Sequence, residues 1–297
     1  MPNILNPHPQ PLSARPDRLA HDSSAAARYV IQMTDRLGVI GLPTDRNSSY
    51  LRGPAGAPGA IREAMFSDMG HLTAEDGADL SPQFAGFRDL PLEETAGDHD
   101  RIEAAAADAF AVGPALFVGG DHYVTWPILS GLKAAMRPPP HIVHFDAHSD
   151  TYPDYGGNRS SHASPFARVL EEGLCVSLTQ IGVRTLNAIQ LAQVERYGIR
   201  IFGPDEADSA FDGLPDGDVY ISFDLDGLDP AYAPGVSHHE PGGLSVRQAL
   251  RAIRAAPGRV IGADVVEYNP DRDINGMTAA VCVKLMKELG ARMLLDA

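Results

Sequence analysis

The sequence has little cysteine and little positive charge. Its 297 residues include two cysteines, Cys175 and Cys282, which are too few for a disulfide framework and lie in no metal-ligand spacing. This usage fits a reducing compartment, and we expect the protein in the cytoplasm. Lysine and arginine number 24 against 39 aspartates and glutamates, so the formal net charge is -15. That charge repels nucleic-acid backbones and anionic lipid surfaces, and we expect neither as a partner.

Long hydrophobic runs are also absent from the sequence. No stretch approaches the ~18 uninterrupted apolar residues of a membrane span, and residues 1–20 are rich in proline where a signal peptide would need an apolar segment. The 44% of hydrophobic and 21% of charged residues are nevertheless typical of a globular protein with a sizeable core. We expect an N-terminal arm over residues 1–30 and a single catalytic domain over residues 31–297.

Short apolar runs alternate with helical patterns from Leu37 onward. The runs predict strands buried on both faces, and the segments between them have the spacing of amphipathic helices. This alternation predicts an α/β domain with three layers, α/β/α, around one mostly parallel sheet. The predicted strands are 37–42, 115–118, 142–145, 176–183, 219–223 and 260–266, and the predicted helices are 58–65, 101–112, 123–135, 165–171, 186–197, 245–256 and 278–295.

Polar clusters follow four of these strands directly. Since ligands bind at the carboxyl ends of strands in open α/β sheets, we expect the four clusters to lie at one edge of the sheet. The clusters are Gly119-Gly120-Asp121-His122, Asp146-Ala147-His148-Ser149-Asp150, Asp224-Leu225-Asp226-Gly227-Leu228-Asp229-Pro230 and Glu267.

So many carboxylates in one crevice repel one another and favour a bound cation. Aspartate oxygens with a minority of imidazole nitrogens and no thiolate suit Mn²⁺ or a similarly borderline divalent ion. Two ions that share a carboxylate would lower the pKa of a water between them and so provide the nucleophile of a hydrolase. The residues alone therefore favour a metal-dependent hydrolase.

The clusters resemble the signature blocks of the ureohydrolase superfamily, which comprises arginases, agmatinases and their relatives. Segments 157–164, 233–245 and 264–270 are most similar to the plant-type arginase branch, which includes members with agmatinase activity. The resemblance implies a homo-oligomer, a trimer or hexamer, that hydrolyses a small cationic guanidino substrate. It further implies two Mn²⁺ ions per chain, with Ni²⁺ as the alternative. The metal ligands it implies are His122, Asp146, His148, Asp150, Asp224 and Asp226.

The resemblance also assigns roles around the metals. It implies that His162 transfers a proton and that Glu267 pairs with the substrate guanidinium. Asn187 stands where the animal arginases have an aspartate that contacts the substrate amino group, while Asn158 and Ser161 could donate to a carboxylate or merely hold their loop. We predict agmatine as the substrate, giving urea and putrescine, with L-arginine and guanidinobutyrate as alternatives.

Other interpretations remain open at this point. A zinc-dependent deacylase of the same fold would use one ion, and an accessory subunit would show no turnover alone. Among the neighbouring side chains, we expect His141 and His144 to pack or to support ligands and His238 and His239 to line the mouth of the site. We expect the aromatic residues near the ligand loops, Trp126, Tyr152 and Tyr155, to be packing residues.

Overall fold

The computed structural model describes residues 37–68, 70–212 and 216–295. The predicted N-terminal arm lies outside the described residues, so the division into arm and catalytic domain stays a prediction. None of the described helices is both long and apolar enough to cross a membrane.

The described strands form one eight-stranded sheet in the order β2-β1-β3-β8-β7-β4-β5-β6, and every neighbouring pair is parallel. This confirms the predicted α/β class. The edge strands β2 and β6 were missed, because β2 is half exposed and without a long apolar run, and β6 has three residues. The strands are β1 Leu37–Gly41, β2 Phe84–Asp89, β3 Ala115–Val118, β4 His141–Phe145, β5 Ser177–Ile181, β6 Arg200–Phe202, β7 Asp218–Asp224 and β8 Arg259–Val266.

Helices cover both faces of the sheet, and all seven predicted helices are present. One hydrophobic cluster packs α1, α6 and α7 against one face, and a second packs α2, α3 and α4 against the other. The helices are α1 Ala57–Met65, α2 Asp98–Val112, α3 Thr125–Ala134, α4 Pro165–Glu171, α5 Ala188–Tyr197, α6 Val246–Ala255 and α7 Met277–Leu295.

The register of the central strands brings the polar clusters together. Phe145 at the end of β4 pairs with Phe223 of β7, and Asp224 pairs with Val266 of β8, so Asp146, Asp224 and Glu267 leave the sheet side by side. The loop after β1 reaches the same edge of the sheet, where Thr44 packs against Gly120. A Cβ at Gly120 would lie 1.6 Å from the backbone oxygen of Thr44, so only glycine permits this approach.

Candidate active site

A first group of four ligand atoms consists of His122 Nδ1 and the three carboxylate oxygens that surround it. This Nδ1 lies 3.2 Å from Asp146 Oδ2, 3.1 Å from Asp150 Oδ2 and 3.1 Å from Asp224 Oδ2. All four residues are buried, and the ligand atoms lie within 4.8 Å of one another. One imidazole nitrogen with three carboxylate oxygens is a donor set for a borderline divalent cation.

A second group shares Asp146 with the first. His148 Nδ1 lies 3.3 Å from Asp146 Oδ1 and 3.2 Å from Asp226 Oδ2. Asp146 thus turns Oδ2 to the first group and Oδ1 to the second, as a carboxylate that bridges two ions would do. The structure therefore brings together all six ligands that the resemblance implied.

Hydrogen bonds behind His122 leave its Nδ1 free for a metal ion. Ser222 Oγ donates to Asp264 Oδ1 at 2.7 Å, and Thr125 and Tyr220 donate to Asp264 Oδ2 at 2.9 and 2.8 Å. Because its one proton goes to Asp264, Ser222 accepts from His122 Nε2 at 3.0 Å. His122 Nδ1 makes no hydrogen bond to the described residues. A bare, buried imidazole nitrogen that faces three carboxylates fits a metal ion.

The electrostatics of the two groups also fit bound cations. Burial raises the pKa of Asp224 well above its usual range, and the charges of Asp226 and Asp146 add to this effect. Burial and the charge of Asp146 raise the pKa of Asp226 to about 6. Burial opposes a charge on His122, but the surrounding carboxylates outweigh it and raise its pKa well above the ordinary value. The site thus attracts positive charge, which divalent ions would supply in place of protons.

His162 and Glu267 form an ion pair beside the ligands. His162 Nδ1 lies 2.8 Å from Glu267 Oε1, which also accepts from the backbone N of His122 at 2.9 Å. Burial acts to lower the pKa of His162, but Glu267 outweighs it and raises the pKa to about 9. Burial acts to raise the pKa of Glu267, yet His162 holds it below its ordinary value. Both side chains are therefore charged near neutral pH.

A cavity of about 150 Å³ contains both the ligand groups and this ion pair. Aspartates and the His162–Glu267 ion pair line it, and none of its lining residues in the described chain is lysine or arginine. His238 lines it as expected, whereas His239 is exposed and contacts Pro234 O. The lining residues are Ser49, His148, Asp150, Tyr152, Tyr155, His162, Ala163, Thr185, Gln190, Asp224, Asp226, His238 and Glu267.

The three predicted substrate contacts do not line this cavity. The side-chain oxygen of Asn187 accepts from the backbone N of Ile189 and Gln190, so Asn187 caps α5. Asn158 Oδ1 accepts from Ser160 N. Ser161 Oγ accepts from Ala163 N. All three side chains hold local turns, and a direct role in substrate binding stays a prediction.

Sequence reasoning missed some of the cavity wall. Tyr152 and Tyr155 line it, although we expected both to be packing residues, while Trp126 packs on His99 as expected, with ring centroids 4.4 Å apart. Ser49 was not anticipated at all. Its hydroxyl lies 2.8 Å from His162 Nε2. A lone serine in a loop carries no sequence signal.

The Arginase family profile matches residues 35–291. The chain belongs to the arginase family. It is 39% identical over 276 residues to Arginase 1, mitochondrial, of Arabidopsis thaliana, a match that covers 86% of this chain and 80% of that protein. Guanidinopropionase of Pseudomonas aeruginosa is 34% identical over 316 residues and is matched over 96% of both proteins.

Solved structures agree with this membership. Arginase from Medicago truncatula superposes with a TM-score of 0.82 at 36% identity, covering 88% of each chain. The protein is therefore an arginase-family amidinohydrolase. Its clustered His and Asp side chains lie at one edge of the sheet, as the order of strands and polar clusters in the sequence predicted.

Proposed function

We propose that this arginase-family protein hydrolyses L-arginine to urea and ornithine with two Mn²⁺ ions per chain. The observation that supports the reaction is the Asp146 carboxylate, shared by two groups of ligand atoms in the cavity that also contains the His162–Glu267 pair. The choice of arginine follows the relatives, since the protein of A. thaliana that is 39% identical is named an arginase. L-Arginine thus replaces agmatine, the substrate predicted from the sequence, as the first candidate.

Two divalent ions would supply a hydroxide nucleophile near neutral pH and stabilise the charge that develops on the attacked carbon's substituents. His122, Asp146, Asp150 and Asp224 would hold one ion, and His148, Asp146 and Asp226 would hold the other. Asp146 would offer one carboxylate oxygen to each ion.

Glu267 would bind the planar guanidinium by charge-assisted hydrogen bonds. Because it is fully ionised and fixed by His162 and by the backbone N of His122, it orients the substrate without rearrangement. This contact positions the guanidinium carbon over the ligand groups.

His162 would donate a proton to the leaving amine. Its pKa of about 9 keeps it protonated near neutral pH, and its Nδ1 proton is held by Glu267. Nε2, beside Ser49 Oγ, is therefore the atom that exchanges a proton as the bond from carbon to the leaving nitrogen breaks. The leaving amine and urea are the products.

Agmatine is the second candidate, and one observation favours it. Neither a lysine nor an arginine is among the lining residues of the cavity in the described chain, and Asn158 and Ser161 do not line it either. Those two were the expected donors to a substrate carboxylate. A substrate that lacks a carboxylate would need no such donor.

Urea release tests these proposals. Purified, Mn²⁺-loaded protein is assayed with L-arginine, agmatine and 4-guanidinobutyrate, and kcat/KM values are compared because that ratio measures discrimination. Arginine is expected to give the highest value. A preference for agmatine would replace the proposed substrate, and no urea from any guanidino compound would refute the reaction.

Assembly and location are proposals of the same kind. We propose a homo-oligomer, a trimer or hexamer, in the cytoplasm. Light scattering on the purified full-length protein tests the assembly, and a mass of one 31.7 kDa chain would refute it.

A further inference from the structure

Behind the shared carboxylate lies a buried histidine outside the six expected ligands. His144 Nε2 is 2.8 Å from Asp146 Oδ2, and His144 Nδ1 is 2.9 Å from Gln180 Nε2. His144 and Gln180 are fully buried and lie opposite each other on the neighbouring strands β4 and β5. Both ring nitrogens of His144 are therefore engaged, although the ring lies near a ligand group.

The backbone of Ser149 fixes the orientation of the Gln180 amide. Gln180 Nε2 donates to the backbone oxygen of Ser149 at 2.7 Å, and Ser149 Oγ donates to Gln180 Oε1 at 2.7 Å. A backbone carbonyl only accepts hydrogen bonds, so the amide nitrogen must lie on that side. The second amide proton then points to His144 Nδ1.

This hydrogen bond selects one tautomer of His144. Nδ1 accepts a proton from Gln180, so the ring proton of neutral His144 is on Nε2 and is donated to Asp146 Oδ2. The ring plane is held by Phe166, whose ring centroid lies 4.1 Å away. On the other side of the carboxylate, Asp146 Oδ1 accepts from the backbone N of His148 at 2.6 Å. The carboxylate is thereby held from both ends.

We propose that Gln180 is a positioning residue of the metal centre, which selects the His144 tautomer that orients the bridging Asp146 carboxylate between two ions. The inference rests on the two-ion site of the proposed function. Gln180 does not line the cavity. It reaches the metal centre through His144 and through Ser149, which lies between the expected ligands His148 and Asp150.

The test is metal affinity, measured apart from activity. Full-length protein freed of metal is titrated with Mn²⁺, and unbound Mn²⁺ is followed by its electron paramagnetic resonance signal. Gln180→Leu keeps the approximate size of the side chain but removes the donor to His144 Nδ1 together with the two hydrogen bonds to Ser149. We expect it to weaken binding of at least one ion by ~10- to 100-fold, the usual effect of removing a group that orients a metal ligand.

Thr179→Val is the matched control. Thr179 precedes Gln180 in β5, is fully buried, and its hydroxyl makes no hydrogen bond to the described residues. The substitution should leave Mn²⁺ affinity unchanged. Two ions bound by Gln180→Leu at wild-type affinity would overturn the positioning role but leave the proposed function intact, whereas fewer than two ions on the wild type would contradict the proposed function itself.

A second measurement needs no folded variant of Gln180. Long-range ¹H–¹⁵N spectra of the metal-free wild type, with ¹⁵N-labelled histidine, report the tautomer of each ring. The His144 signals are assigned by their loss in His144→Asn. A proton on Nε2 supports the proposal, and a proton on Nδ1 overturns it.

Discussion

Asp224→Asn should stabilise the metal-free protein while removing part of the metal centre. The amide oxygen can keep the bond that Asp224 Oδ1 accepts from Asp226 N at 2.8 Å. The amide nitrogen would replace Oδ2, which lies 3.1 Å from His122 Nδ1. The variant side chain carries no charge, so it no longer repels the carboxylates of Asp146 and Asp150.

The magnitude follows from the spacing of the charges. The ligand atoms of Asp146, Asp150 and Asp224 lie within 4.8 Å of one another. Two like charges at that distance repel by at least ~3.5 kcal/mol at an effective dielectric constant of about 20, and Asp224 faces two of them. Attraction to protonated His122 offsets about 5 kcal/mol of this repulsion. We therefore expect the variant to be about 2 kcal/mol more stable near pH 8 without metal.

The sign of the pH dependence is also determined. The pKa of Asp224 is raised in the folded protein, so ionised Asp224 lowers the free energy of unfolding. This loss of stability is present above the pKa of the unfolded state and disappears as the pH falls below it. The advantage of Asp224→Asn should accordingly shrink toward zero near pH ~4, where an unfolded aspartate takes up its proton.

The assay is urea unfolding of the full-length protein with a chelator and again with excess Mn²⁺. Each ion bound at 100 times its Kd adds ~2.7 kcal/mol to the wild type, and the variant lacks part of this gain. The order of stability should therefore reverse when metal is added. A variant less stable than the wild type in chelator would contradict the predicted repulsion among the carboxylates.

Three further outcomes are expected. His162→Asn should lower kcat by ~10²- to 10⁴-fold, which is the range for loss of a general acid. Its metal content, measured by elemental analysis, should be unchanged, and a loss of metal would contradict the role of His162 in proton transfer. Glu267→Gln should lower the pKa of His162 from about 9 toward its ordinary value when followed by NMR, because the neutral amide no longer stabilises the imidazolium. Mn²⁺ binding at neutral pH should release protons, since the pKa values of His122 and His148 are raised, and calorimetry in buffers of different ionisation enthalpy would detect it.

Much of the metal centre was predictable from the sequence because each ligand cluster directly follows a buried strand. Asp146 and Asp224 lie at the carboxyl ends of the neighbouring strands β4 and β7, so a parallel sheet brings them together. His144 was expected to pack or to support a ligand, and it contacts Asp146, one of the expected ligands.

The remainder depends on tertiary contacts that leave no local pattern. Ser49 lies beside His162 in a loop held by long-range bonds, since Asn47 N donates to Asp121 Oδ2 and Asn47 O accepts from the backbone N of His162. The resemblance places Asn187 among the candidate substrate contacts, and in the structure its side-chain oxygen caps α5 while its amide nitrogen donates to the hydroxyl of Tyr152 on the cavity wall. A helix cap and a substrate contact use the same residue type, so sequence alone does not separate them.

A titration of metal-free protein with Mn²⁺ tests the two-ion reaction most directly when bound metal and urea release from L-arginine are measured on the same samples. Urea release is expected to rise with bound metal and to reach its maximum at two ions per chain. Full activity at one ion per chain, or two bound ions without urea release, would contradict the two-ion reaction.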